Sequence, residues 1–365
     1  MKRALVALTF FGLALAGCLE DEPAPLPDEP AVVVDSTADF PIPDAGALLA
    51  ELESFVNTYG ERAANLPAHT GARDYLEQQY LDAGLEVWRQ EFTDGIDQEN
   101  IVGIKWGSVH PDQWIVVGGH YDMVTTDCIV GLATSNAPGA PQCVTRPFSQ
   151  GAYDDGGGTI MTVELARAYA QINTTYTIAF ANFDGEERGL QGSGAFVREV
   201  MDDQASPYGN VTVRAMLNLD MFGLGWPTVD APILFDENSD ELRAAVEALR
   251  MEMGMPEDAI EYHGITAGRS DYAHFMDRDV PTGFFISDFE EWQLPANLPY
   301  TVDPATTGVV LGEYPFWHLQ DTYETMELMA GSAEELEASF QAATELASGV
   351  LWRMAMVDEP LGLRA

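Results

Sequence analysis

Thr175-Tyr176-Thr177-Ile178-Ala179-Phe180-Ala181-Asn182-Phe183 runs straight into Asp184-Gly185-Glu186-Glu187, and this junction decides the fold class. The first nine residues carry no charge and are rich in β-branched and aromatic side chains. They are too few for a typical helix, so they read as a strand buried within a sheet. Upstream, Thr159 to Gln171 has helix-spaced apolar positions, and Trp114 to Gly119 and Asn100 to Trp106 are short β-rich runs. Leu85 to Phe92 alternates like a strand, and Ala45 to Tyr59 and Gly71 to Ala83 read as helices. Downstream come a strand over Val213 to Asn218, a helix over Ser239 to Met253, a strand over Thr282 to Ser287 and a long closing helix over Ser332 to Met354. Strands alternating with helices imply an α/β fold whose sheet is covered on both faces. Ligands in such folds gather beyond the C-terminal ends of the strands.

A chain of 365 residues that is 46% hydrophobic can bury a sizeable core, which excludes a disordered chain or a disulfide-held miniprotein. Its charge is lopsided: 17 Lys and Arg face 59 Asp and Glu, for a net −42, and only Lys2 and Lys105 are lysines. A field of that sign repels phosphate backbones, so no nucleic-acid partner is expected. It attracts cations, although an acidic, lysine-poor surface also serves solubility alone.

Lys2 and Arg3 precede an uncharged, largely apolar run from Ala4 to Gly17, the pattern of a secretory signal peptide. That run is short for a membrane span, which needs about 20 residues. Leu15-Ala16-Gly17-Cys18 looks like a prokaryotic lipobox, which would lipidate Cys18 and place the protein outside the cytoplasm on a membrane anchor. Residues 1–17 are thus expected to be a lipoprotein signal and 18–43 a lipidated cysteine with an acidic, proline-rich tether. Residues 44–365 are then the folded domain. Cys128 and Cys143 form an even pair in an exported chain and are expected to make a disulfide. Such a bridge would be worth roughly 3 kcal/mol in the chain-entropy picture.

The polar residues sit where the strand-end rule wants them. His120-Tyr121-Asp122 follows the strand over 114–119, and Asp154-Asp155-Gly156-Gly157-Gly158 opens a helix. Glu186-Glu187 follows the strand over 175–183, Asp220 follows the strand over 213–218, and His318-Leu319-Gln320-Asp321 lies near the end. Each alone reads as a turn, a helix cap or a solvated face. Together they supply two imidazoles, three carboxylates and a spare glutamate, a thiolate-free donor set suited to catalytic zinc. Two such ions can share a carboxylate and activate a water for hydrolysis, with a nearby non-ligand carboxylate as proton shuttle.

In this order the motifs resemble the co-catalytic di-zinc exopeptidases, a family that includes bacterial leucyl aminopeptidases, glutamate carboxypeptidase II and the glutaminyl cyclases. The resemblance spans roughly Ala45 to Met354. It implies a single-domain three-layer α/β/α fold with a mixed, mainly parallel sheet of about eight strands. It also implies two zinc ions, one on His120 and Asp220 and the other on Glu187 and His318, with Asp154 bridging them. Glu186 falls at the general-base position, Asp122 would orient His120, and Asp321 would support His318. Gly268-Arg269-Ser270-Asp271-Tyr272 resembles the segment beside the substrate pocket, which makes Arg269 and Tyr272 candidate substrate contacts. The span from His120 to Asp154 is longer than typical relatives need, and a loop pinned by Cys128 and Cys143 at the pocket rim is expected there.

The resemblance favours an aminopeptidase acting on peptides with a free N-terminus. The alternatives are a glutaminyl-peptide cyclotransferase, a carboxypeptidase or dipeptidase, and a non-catalytic binding lipoprotein. No Gly-x-Ser-x-Gly elbow occurs, and no His is followed by Glu, which excludes the common serine hydrolase and zincin patterns. His69, His110, His263 and His274 lie outside these motifs; His274, after the Ser-Asp-Tyr stretch, is expected to be structural, with a place lining the pocket as the alternative.

Overall fold

The computed structural model describes residues 40–64, 66–93, 95–123, 149–209, 211–225, 233–265, 268–287 and 321–356. Cys18, Cys128, Cys143 and His318 therefore lie outside the described residues, as does the expected loop at the pocket rim.

Two helices, α1 (Ala45–Tyr59) and α2 (Pro67–Asp82), precede three strands, β1 (Glu86–Thr93), β2 (Asp97–Lys105) and β3 (His110–His120). Then follow α3 (Gly157–Tyr169), β4 (Tyr176–Phe183), α4 (Gln191–Val197), β5 (Thr212–Leu219), β6 (Ile233–Glu237) and α5 (Asp240–Glu252). The chain closes with β7 (Ile260–Gly264), α6 (Ala273–Met276), β8 (Thr282–Ile286), α7 (Tyr323–Ala330) and α8 (Ala333–Met356). Helix starts are set locally. Asp44 accepts from the Ala47 N–H at 2.8 Å, and Thr322 accepts from the Thr325 N–H at 3.1 Å. Helix α2 begins four residues earlier than its apolar pattern suggests, because Pro67 at the first helical position fits the helical φ and lacks only an N–H that would be unpaired there.

The eight strands form one sheet in the order β1-β2-β4-β3-β5-β8-β6-β7. Strands β4, β3, β5 and β8 are mutually parallel, while β2 and β6 run antiparallel to them on either side. The sheet is thus mixed with a parallel centre, as the alternating pattern requires. Strands β6 and β7 escape the apolar pattern because Asp236, Glu237, Glu261 and His263 interrupt five-residue segments near the edge.

Successive side chains on the central strands point to opposite faces. Ile115 and Val117 of β3, with Ile178 and Phe180 of β4, pack on one side with Leu48, Leu52, Ile160, Leu165, Phe340 and Leu346. Trp114 and Val116, with Ala179, Ala181 and Phe183, pack on the other with Phe196 and Phe275. Both faces are therefore dry, and the uncharged run from Tyr176 to Phe183 is buried throughout. The register puts His120 beside Phe183, Gly118 beside Asn218 and Leu219 beside Phe285. The ends of β3, β4, β5 and β8 consequently share one edge.

Candidate metal centre

That edge carries the site. His120 is the last residue of β3, is 1% exposed, and points its Nδ1 at the Asp122 backbone carbonyl (3.1 Å), with the Asp122 Oδ1 at 3.5 Å. An Nδ1–H held by that carbonyl leaves the Nε2 lone pair facing the opposite way. There it meets Asp154 Oδ1 at 3.0 Å, Asp220 Oδ1 at 3.6 Å and Glu186 Oε2 at 4.0 Å. One ligand atom from each of His120, Asp154 and Asp220 lies within 4.8 Å of the others. The set fits a divalent ion of the zinc type: one oriented imidazole and two carboxylates, of which Asp220 Oδ1 receives no hydrogen bond.

Backbone and side chains fix each of these groups. Thr159 of α3 donates to the His120 carbonyl at 2.7 Å. Gly119 lets β5 approach, since a Cβ there would lie 2.0 Å from the Leu219 carbonyl oxygen. Asp220 follows β5 directly, and its Oδ2 accepts from Ser270 at 2.7 Å, whose hydroxyl accepts in turn from Asn218 at 2.8 Å. The Glu186 N–H donates to Asp122 Oδ1 at 3.1 Å, so Asp122 joins the His120 strand to the turn after β4. In that turn Gly185 has φ 69, a left-handed conformation suited to glycine, and its chain reversal places Glu186 and Glu187 over the sheet edge.

Asp154 is held differently. It lies between Gly151 and α3 in irregular backbone, with a cis peptide bond to Asp155. The Asp321 carboxylate accepts from the N–H groups of Tyr153 (2.7 Å) and Asp154 (2.9 Å). The Asp155 carboxylate accepts from the Gly158 N–H, in the first turn of α3, at 2.9 Å. Beneath them the buried guanidinium of Arg62 donates to the carbonyls of Tyr121, Gln150 and Gly151.

So many carboxylates in a dry pocket repel one another. Burial pushes Glu186 and Glu187 well above the usual carboxylate range; His120 opposes this for Glu186, and Asp154 adds to it for Glu187. Burial likewise raises Asp155, and pushes Asp271 up to about 7 and Asp321 up to about 8. Burial works against protonation of His120, yet the facing carboxylates, Glu186 foremost, raise it well above its ordinary value. A bound cation would relieve the same repulsion.

The structure thus gathers His120, Asp122, Asp154, Glu186, Glu187 and Asp220. Asp321 supports Asp154 through the backbone, a contact separate from the one expected with His318. Arg269 is exposed, and its N–H donates to the hydroxyl of Tyr272. Tyr272 is 1% exposed and packs on Phe284. Sequence reading missed Arg62 and the Asn218–Ser270 chain, whose partners are distant in sequence and leave no spacing signal. His69, outside the motifs, pairs with Asp184 at 2.8 Å and stacks on Tyr121.

Residues 100–334 match the family model described as Peptidase family M28. Among curated proteins, a probable zinc metalloprotease of Phaeosphaeria nodorum is 36% identical over 126 residues, covering 34% of this chain and 23% of that protein. Leupeptin-inactivating enzyme 1 of Streptomyces exfoliatus is 27% identical over 293 residues, covering 79% of this chain and 58% of that protein. The chain thus spans under two thirds of the length of these relatives. Among solved structures, a zinc aminopeptidase from Bacillus subtilis superposes with a TM-score of 0.63 at 16% identity, over 88% of this chain and 97% of that one. At that identity the likeness speaks for the fold.

Proposed function

The chain belongs to peptidase family M28, and from that membership and the geometry of the sheet edge we propose that it is a zinc-dependent aminopeptidase. The observation that carries this reading is the convergence of His120, Asp154 and Asp220, with the Glu186 carboxylate 4.0 Å from the same imidazole nitrogen. His120 and Asp220 would hold one zinc ion and Glu187 with His318 a second, with Asp154 between them. Zinc bound there supplies Lewis-acid chemistry, polarising the scissile carbonyl and acidifying water. Glu186 accepts the proton of the attacking water on a carboxylate oxygen and returns it to the departing amine nitrogen as the C–N bond breaks. Asp122 keeps both partners in place, through the His120 ring and the Glu186 N–H. The carboxylates that zinc leaves uncompensated would favour the cationic α-amine of a peptide N-terminus.

The test is to incubate residues 19–365 with free and N-acetylated peptide twins, with and without chelator. Chelator-sensitive loss of single N-terminal residues from the free peptides alone is expected. Cleavage of the acetylated twins, or turnover that survives metal removal, would overturn the reading. Export with a lipid anchor at Cys18 is also proposed, supported by residues 1–18 of the sequence. Membrane release of a Cys18→Ser variant in the native host is the outcome to look for, and retention would refute it.

A further inference from the structure

We infer that Arg62 is a positioning residue that sets the spacing of the two segments bearing His120 and Asp154, so that the metal site is formed before metal arrives. The inference rests on the reading that these two residues share an ion. Arg62 follows α1 and is 0% exposed. Its Nε donates to the Tyr121 carbonyl at 2.6 Å, its Nη1 to Gln150 and its Nη2 to Gly151, both at 2.5 Å. Tyr121 lies between His120 and Asp122, while Gln150 and Gly151 stand a few residues before Asp154. One rigid fork therefore spans the end of β3 and the start of the irregular loop.

A second observation points the same way. Gly151 has φ 57, and a Cβ there would sit 2.9 Å from both Nη2 of Arg62 and the Asp154 carbonyl oxygen. The backbone thus packs closely against the guanidinium and the Asp154 peptide. Among the described residues the other buried guanidinium, Arg250, donates to the carbonyls of Met255 and Pro256 but also pairs with the Glu247 carboxylate on α5. Arg62 differs because its three described bonds go to main-chain carbonyls and not to a carboxylate. Its charge still faces Asp321, Asp155, Asp122 and Asp154, which offsets their mutual repulsion. A lysine would keep that charge, but a single ammonium cannot reproduce a planar fork that reaches three carbonyls in two segments.

The test separates the fork from the charge and from the peptidase reading. In Arg62→Lys, zinc affinity measured by chelator competition should fall about 10–100-fold, with the far-UV spectrum retained. A loss below about fivefold would overturn the inference, since partners that orient ligands normally cost more than that. Gly151→Ala should weaken zinc in the same way, and the double variant should lose less than the sum of the two. Full additivity would mean that the two sites act separately, against the proposal.

Should the variants fail to fold, hydrogen exchange on the metal-free wild type decides. Amides of Tyr121 and of residues 150–154 should be as protected before zinc as after it. Protection that appears only with zinc would show that the metal, and not Arg62, fixes the spacing. None of these readouts uses turnover, so an inactive wild type would sink the peptidase reading while leaving this one to be judged separately.

Discussion

The two sides of the metal centre are built by different means. His120 and Asp220 end parallel strands, and their positions follow from the ladder: β3 and β5 are in register to Gly118 and Asn218, and dry packing covers both faces. Beyond the sheet, single contacts finish the placement: Asp122 on the His120 ring, Thr159 on the His120 carbonyl, Arg62 on the next carbonyl and Ser270 on Asp220. Asp154 stands on irregular backbone with no ladder to fix it. Two buried side chains do that work instead, Asp321 on the amides of Tyr153 and Asp154, and Arg62 on the carbonyls before them. Regular structure satisfies its own backbone polar groups, whereas a buried loop must find side-chain partners for each of them. Strand-end residues should therefore tolerate change with local effects, and loop supports should not.

The sharpest separation comes from Glu186, which lies in the turn after β4. Glu186→Gln should lower kcat by about 10²–10⁴-fold while leaving zinc content and thermal midpoint near wild type, because it removes a proton shuttle and neither a ligand nor a support. Elemental analysis beside steady-state kinetics checks this, and a near-normal rate would remove Glu186 from the role.

On the loop side, Asp321→Asn presents one acceptor and one donor to two N–H groups. It should destabilise the metal-free protein by about 1.5–3 kcal/mol in denaturant titration and weaken zinc as well. On the strand side, Ser270→Ala removes one hydroxyl from Asp220 and should cost about 1 kcal/mol, with a smaller loss of zinc affinity. If Ser270→Ala proved the more damaging of the two, the contrast drawn between ladder and loop would collapse.

A further test concerns pH. Asp271 is buried and pushed up to about 7, so the folded metal-free protein keeps a proton there that the unfolded chain releases near pH 4. The unfolded state then binds fewer protons across that window, and stability should fall as pH rises from about 4 to 7. Asp271→Asn should flatten this slope in denaturant midpoints taken across the range. An unchanged slope would assign the effect to other carboxylates.

Much of this was legible in one dimension. The uncharged run before Asp184 marks a strand buried on both faces, and the placing of His120, Glu186, Glu187 and Asp220 after apolar strands marks the edge where chemistry collects. Asp154 was found through the motif Asp-Asp-Gly-Gly-Gly and not through any strand. Strands β6 and β7 were missed because charged residues mask short edge segments. Arg62 was missed because a lone arginine after a helix looks like a surface residue, and its three acceptors lie 59, 88 and 89 residues away.

The sequence by itself determined the alternation of strands and helices, the class of donor atoms and which side of the sheet bears them. Periodicity and strand-end placement are local properties that survive in a linear reading. Only the tertiary structure decided which oxygen faces which nitrogen: that Asp122 serves both His120 and Glu186, that Ser270 fixes Asp220, that Asp321 carries Asp154 and that Arg62 clamps two segments. Those pairings depend on distances of a few ångströms between residues far apart in the chain. Nothing in the order of residues encodes such distances until packing on the sheet fixes them.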